Sequence, residues 1–344
     1  MSIKLSYIIP VYGVEKSISA CLDSIYAQGL QEKDFEVICV DDCTLDKSCE
    51  IIKCYQQTHA NLILLHHDIN KKAGGARNSG LQVASGKYIW FVDSDDTLVP
   101  NVATSMLKKC EDEKLDVLCF NIIVKSGLEL KKEIVFKDEV GACDGITFLN
   151  VIFGNQIIYH LGYPYRCLYK RENLIRNSIR FPEGMLFGED TTFMAEAICA
   201  AKRVACIPTC AYYYVKNPVS SSALLFQEMR GELIYQSCIQ AGDMVVHLCE
   251  NVRNSSPKLA VNIEANIPWF VNRLFIRLVK TNRQERRNFY DTMEGNIQTD
   301  NFASSHLSFA YMDAKNRFVV KYPSCGIIWL NLLSVIYKMK HGIK

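Results

Sequence analysis

The 344-residue chain has no stretch of roughly 18 consecutive apolar residues, so no helix is expected to cross a bilayer. It also lacks an excess of one charge. The 39 basic residues stand against 37 acidic ones, and a net charge of +2 leaves no electrostatic footprint for nucleic acid, which is not expected as a partner. None of the 15 cysteines falls in a Cys-x-x-Cys pair, the nearest spacings being Cys39 to Cys43 and Cys206 to Cys210. An odd number in a long chain argues against a disulfide scaffold. The cysteines read as reduced thiols in a cytoplasmic protein, mostly small buried hydrophobes. The amino terminus, MSIKLSYIIPVYG, meets a proline and a glycine too soon for the apolar core of a signal peptide. No Gly-x-Gly-x-x-Gly follows the first apolar run, which argues against a dinucleotide dehydrogenase. Internal repeats and low-complexity segments are missing too.

What is present is hydrophobic content of 49%, enough for a sizeable core in one or two units. The first hundred residues alternate short apolar runs with helical spacing, the mark of βαβ units and a mostly parallel sheet. Strands are expected at Leu5 to Pro10, Phe35 to Asp41, Asn61 to His67 and Tyr88 to Asp93. Ile18, Leu22, Ile25 and Tyr26 predict a helix stopped at Gly29, and Asp46 is placed to cap a helix carrying Cys49, Ile52 and Tyr55. Further on, LDVLCFNIIV, KEIVFK and RVACIPTCAYYYVK look extended and TTFMAEAICAAK helical. After KNPVSSS the pattern turns to long amphipathic helices. The expected division is an α/β domain over 1–216, with a Rossmann-like, mostly parallel central sheet, and a mainly helical region over 217–344.

In an open parallel sheet, ligands gather outside the carboxyl ends of the strands. Polar residues collect at those ends. The first strand delivers Pro10, Tyr12 and Gly13, the second Asp41 and Asp42, and the fourth Asp93, Ser94, Asp95 and Asp96. The segment NKKAGGARNSG, read as a loop, offers Gly74 and Gly75 for close backbone approach and Arg77 for an anion. Taken singly, these have plain explanations: Asp41 and Asp42 as turn and cap residues, the glycines as a turn, Arg77 as a solvated side chain. Three acids after a buried strand are harder to explain without compensation. A divalent cation with oxygen ligands, Mn²⁺ or Mg²⁺, is the economical offset. Asp93, Asp95 and Thr97 also fit the Asp-x-Asp-x-Thr pattern of haloacid-dehalogenase-like phosphohydrolases, with Asp93 as nucleophile. That motif belongs on a first strand, whereas here it follows the fourth. In FPEGMLFGEDTTFMAEA, Glu189 and Asp190 either cap a helix or supply an acid-base group brought in by the fold.

The ordered blocks IIPVYGVEKSISACLDSIYAQ, VICVDDCTLDKS, KKAGGARNSGLQVASGKYIWFVDSDD and FGEDTTF resemble family 2 glycosyltransferases of the GT-A fold, over about the first 215 residues. The resemblance implies an inverting enzyme that takes a sugar from a nucleotide diphosphate donor, UDP-linked by preference. Its acceptor would be a glycan or lipid-linked sugar of bacterial surface polysaccharide assembly. Pro10, Tyr12 and Glu15 would line the nucleotide site together with Gly74 and Ser94. Asp41 or Asp42 would read the base, and Arg77 would contact donor phosphate or base. Asp93 and Asp95 would be the Asp-x-Asp pair, with Asp95 the direct metal ligand and Asp93 nearer the ribose. Asp190 would be the general base with Glu189 beside it at the acceptor side. A nucleotide-sugar-binding module without catalysis is the reading from another class. The chain departs from the pattern at Cys43, where glycine is common, and at Gly13, where asparagine is.

Past Ser222 only pattern speaks. Arg273, Arg277, Lys280, Arg283 and Arg287 fall near one helical face, and Ile327 to Tyr337 is a short apolar run followed by Lys338, Lys340 and Lys344. The basic face reads as the solvated face of a packed helix or as a surface for anionic lipid or a lipid-diphosphate acceptor, and the apolar run as peripheral membrane attachment, core packing or a homodimer interface.

Overall fold

The structure, a computed structural model, describes residues 3–153, 163–183 and 188–216, with 250, 252, 253, 256, 257 and 260 beyond them. Contacts divide the chain into two units. The first comprises Met1–Phe153, Tyr159–Gly184 and Glu189–Ala223; the second comprises Gly154–Ile158, Met185–Gly188 and Leu224–Lys344. The expected boundary at Asn217 and the basic and apolar segments expected after it lie outside the described residues.

The first unit is an α/β domain. Its strands are β1 Leu5–Val11, β2 Phe35–Asp41, β3 Leu62–His66, β4 Tyr88–Phe91, β5 Thr97–Leu98, β6 Val117–Ser126, β7 Glu129–Glu133, β8 Val140–Cys143, β9 Cys167–Lys170 and β10 Val204–Val215. Its helices are α1 Ile18–Tyr26, α2 Ser48–Gln56, α3 Lys72–Val83, α4 Ala103–Asp112, α5 Gly145–Phe148, α6 Arg171–Arg176 and α7 Glu189–Cys199. Among the described residues the strands form one sheet in the order β3-β2-β1-β4-β9-β6-β10-β5, with β7 on β6 and β8 on β10. β1 pairs parallel with both β2 and β4, and β2 pairs parallel with β3. The chain therefore travels outward through β2 and β3 and returns to the other side of β1. That reversal places the ligand crevice of an open sheet at the carboxyl ends of β1 and β4. β9 runs antiparallel between β4 and β6 and carries the sheet onward to β10.

Burial explains the continuous apolar runs. β2 is buried along its whole length and β4 likewise, as expected of parallel strands covered on both faces. Tyr7 stacks on Trp90 with centroids 5.7 Å apart, and Trp90 meets Phe120 edge-on at 5.3 Å. On the opposite face of β1, helix α3 lies close to the sheet because Gly80 has no side chain: a Cβ there would sit 2.4 Å from Ile8 Cγ2.

At the end of the sheet opposite the crevice, Glu36 on β2 is buried. Its carboxylate accepts from Ser6 Oγ at 2.5 Å, Ser85 N at 2.7 Å, Ser85 Oγ at 3.0 Å and Gly86 N at 3.2 Å. One side chain thus ties β1, β2 and the turn before β4. Glu36→Ala leaves several buried donors without an acceptor, and we expect a loss of about 3 kcal/mol in urea unfolding. A midpoint unchanged from wild type would refute this.

Two expectations need correction. The segment read as a loop around Gly74 and Gly75 is the first half of α3. KEIVFK is a strand only at Lys132 and Glu133, where β7 ends; beyond it Asn121 Oδ1 takes the N–H groups of Val135 and Phe136 at 2.8 and 3.0 Å in place of ladder partners. Asp46 does cap, from one residue ahead of the assigned cap position, accepting from Ser48 N at 3.0 Å. Among the described residues, no helix is long and apolar enough to cross a membrane.

Candidate active site

β1 and β2 end together in the register Val11 to Asp41, and the loops that follow them are tied to each other. Gly13 N donates to Thr44 Oγ1 at 2.8 Å, Glu15 N to Asp46 Oδ2 at 2.8 Å, and Lys47 N to Glu15 Oε2 at 3.2 Å. Tyr12 stands 47% exposed above this junction, with Pro10 partly buried beneath it.

Asp41 accepts from Thr44 N at 2.8 Å and pairs with His66 Nδ1 at 2.9 Å. Burial pushes its carboxyl up, but the bonds from Thr44, His66 and Cys49 outweigh that and hold it below its ordinary value. Asp42 is committed elsewhere. Its Oδ1 accepts from Lys71 N at 2.7 Å, at the start of α3, and pairs with the buried His67 at 2.8 Å. Cys43, standing where the resembled pattern carries glycine, adopts φ 64°, so the loop keeps the left-handed turn a glycine would make.

α3 aims Arg77 at the crevice. Its side chain is buried, and the guanidinium forks between two carboxylates from distant parts of the chain. Nη2 donates to Asp93 Oδ1 at 2.7 Å and Nη1 to Asp190 Oδ1 at 2.7 Å. The ring of Phe181 lies 5.1 Å from the guanidinium carbon. Gly74, one turn earlier, lets α3 approach Phe181 and Pro182, since a Cβ there would meet Phe181 Cβ and Pro182 O, each at 3.3 Å. Burial works against the Arg77 cation, but Asp190 and Asp93 together raise its pKa above the ordinary value.

The three aspartates after β4 divide their tasks. Asp93 pairs with Arg77. Asp96 is buried, accepts from Tyr212 Oη at 2.8 Å and from Val215 N at 2.6 Å, and is pushed well up by burial and by Asp93 and Asp95. Asp95 stays partly exposed, and burial and the Asp93 charge push its carboxyl up to about 6. Ser94 between them is buried. A divalent cation fits this arrangement. Asp93 and Asp95 offer hard oxygen ligands, and the mutual repulsion that raises Asp95 is what such a cation would relieve.

Glu189 and Asp190 open α7, where the helix dipole favours negative charge. Burial raises both, Arg77 lowers both, and Asp190 remains well above its ordinary value because Glu189 and Asp93 add their charges to the burial cost. Asp190 lies 113 residues from Arg77 in sequence, and only the fold joins them.

Tyr212 escaped the sequence analysis. Its hydroxyl accepts from Asp93 N at 3.0 Å while donating to Asp96, so it fixes the backbone from which Asp93 projects. The only signal was three consecutive tyrosines in an expected strand. For Tyr212→Phe we expect about 1–3 kcal/mol of destabilisation, because a buried acceptor and a buried donor both lose their partner. Thermal unfolding measures it, and a wild-type midpoint would show that the relay carries no load.

The geometry has counterparts among known proteins. Residues 6–157 match the family described as glycosyl transferase family 2. The chain is 30% identical to an uncharacterized glycosyltransferase, EpsJ of Bacillus subtilis, over 75% of this chain and 77% of that protein. It is 32% identical to the poly(ribitol-phosphate) beta-glucosyltransferase of Bacillus spizizenii, over 62% of this chain but only 32% of that one. The chain thus spans about a third of the length of that relative. The crystal structure of S. aureus TarS 1–349 in complex with UDP-GlcNAc superposes with a TM-score of 0.69 at 23% identity, covering 99% of this chain and 92% of the other. The shared architecture is the GT-A fold.

Proposed function

The chain belongs to glycosyl transferase family 2, and from that premise we propose that it is an inverting enzyme moving a hexose or N-acetylhexosamine from a UDP-sugar to a hydroxyl of a surface glycan or lipid-linked glycan. The observation that carries this reading is the buried guanidinium of Arg77, which by itself holds the first aspartate of the Asp-x-Asp pair and the distant Asp190 in one crevice. Membership of this family sets aside the phosphohydrolase alternative.

Inversion needs a base on the face opposite the leaving group, to take the acceptor proton as the hydroxyl attacks. Asp190 is that base. Arg77 occupies its Oδ1 and leaves Oδ2 to receive the proton. Glu189 adjoins it toward the acceptor. A Mn²⁺ or Mg²⁺ ion held by Asp95 and Asp93 would supply Lewis-acid stabilisation of the departing diphosphate. Arg77 positions Asp93 and Asp190 relative to each other. It also places positive charge where the donor phosphates leave. Asp41 reads the uracil edge, and Asp42, bound to Lys71 N and His67, holds the loop that carries it. Pro10, Tyr12 and Glu15 line the nucleotide between the first two loops.

The named relative that acts on poly(ribitol-phosphate) supports a cell-envelope polymer as the acceptor class. UDP-GlcNAc in the TarS complex supports a UDP-linked donor. The direct test is release of UDP from a panel of nucleotide sugars with and without Mn²⁺, beside Asp95→Asn. We expect metal-dependent release from one UDP-sugar and a loss of about 10²-fold or more in the variant. Release that Asp95→Asn leaves unchanged would refute the assignment of the metal site.

A further inference from the structure

Beside the crevice, at the carboxyl ends of β2 and β3, a second group of ligand-type side chains converges. Asp41 ends β2, His66 ends β3, and Cys49 lies in the first turn of α2. One ligand atom from each lies within 4.8 Å of the other two. The carboxylate is already oriented for this, because Thr44 N–H at 2.8 Å occupies Oδ1 while Oδ2 faces His66 Nδ1 at 2.9 Å and Cys49 bonds to the same carboxyl. In a tetrahedral zinc site with bonds of about 2.0–2.3 Å, neighbouring ligand atoms lie about 3.3–3.8 Å apart. Asp41 Oδ2 and His66 Nδ1 would open slightly from 2.9 Å, and no other pair, all within 4.8 Å, exceeds that size by more than about 1.5 Å.

The donor set is one oxygen, one nitrogen and one sulfur. Mn²⁺ and Mg²⁺ favour oxygen alone, whereas thiolate with imidazole selects Zn²⁺ among the common divalent ions. This chemistry differs from that of Asp93 and Asp95, which offer carboxylates only. We propose that Asp41, Cys49 and His66 form a second metal site that takes Zn²⁺, with water from solvent as the fourth ligand. The His66 side chain is 51% exposed, which gives ion and water a route. Binding forms bonds to Asp41 Oδ2, His66 Nδ1 and Cys49 Sγ. The Cys49 thiol proton passes to solvent, and the His66 proton resides on Nε2. A regulatory consequence follows, and it rests on the reading of Asp41 as the residue facing the base. A Zn²⁺ ion on Oδ2 takes the oxygen that uracil would use, so zinc and UDP exclude each other.

Co²⁺ titration of the full chain tests the site, since a cobalt–thiolate bond gives a near-ultraviolet charge-transfer band. One equivalent should produce the band. Cys49→Ser should abolish it, His66→Gln should weaken Co²⁺ binding by about 10-fold or more, and Asp95→Asn should leave it intact. Near-ultraviolet circular dichroism confirms that each variant is folded. A band that survives Cys49→Ser, or no band at all in the wild type, overturns the site. The link to the nucleotide is read separately by UDP calorimetry. One equivalent of Zn²⁺ should weaken UDP binding at least about 10-fold in the wild type, as the loss of a hydrogen bond to a charged group would, and not in Cys49→Ser. A cobalt band with UDP affinity indifferent to zinc overturns the link while the metal site stands.

Discussion

Asp190→Asn should lower kcat by about 10²–10⁴ while leaving UDP affinity close to wild type, because a positioned base contributes that much and an amide cannot accept the proton. Asparagine keeps an oxygen for Arg77, so the ion pair becomes a hydrogen bond and the fold survives. The pH dependence of the wild type carries the same signature. The Asp190 carboxyl is raised well above its ordinary value, chiefly by burial, with Arg77 opposing and Glu189 and Asp93 adding to it. A base works only when deprotonated. Activity should therefore be full above that raised pKa and fall as pH drops through it, at a higher pH than an exposed aspartate would give. Initial rates across pH check this, and an Asp190→Asn enzyme with wild-type kcat would overturn the assignment of the base.

Arg77→Lys has the second largest expected effect. A lysine brings the same charge but one ammonium, and it cannot reach two carboxylates with the fixed fork of a guanidinium. We expect kcat/KM to fall by about 10²-fold, the cost of misplacing reacting groups by an ångström. Arg77→Met should go further, leaving two carboxylates without their cation. A full buried pair would cost about 3–5 kcal/mol, but both carboxylates are about a quarter exposed and water screens them, so about 2 kcal/mol is expected. With the cation gone, the Asp190 carboxyl rises further and the acid limb of the pH profile moves to higher pH. A merely structural arginine would lower stability without moving that limb, so the profile separates the two roles.

How legible this was can be judged residue by residue. The parallel core was open to reading because β1, β2 and β4 are mostly apolar runs ending in turn residues, and period and burial leave little choice. The aspartates after β4 were legible as an electrostatic problem, since three acids at the end of a buried strand demand an explanation. The segment around Gly74 and Gly75 misled. Two adjacent glycines signal a turn locally, but the contacts of α3 with Ile8 and Phe181 reward the absence of side chains and override the helix penalty of glycine. Asn121 replaced a strand with a side-chain bond to two amides, and no local pattern announces that.

By itself the sequence determined the class of fold, the strand ends at which polar residues gather, and the four ordered blocks that carry the family resemblance. These depend on periodicity and on residues adjacent in the chain, which a linear reading sees directly. Only the tertiary structure decided that Arg77 joins Asp93 to Asp190, that Asp96 is withdrawn into a bond with Tyr212, and that Asp41 meets both His66 and Cys49. Each of these is a contact between different elements of the fold, and the bonds of Arg77 to Asp190 and of Tyr212 to Asp96 span more than a hundred residues. The charge a carboxylate carries, and so what it can do, is set by burial and by the partner facing it, and both come into being only when the sheet is assembled.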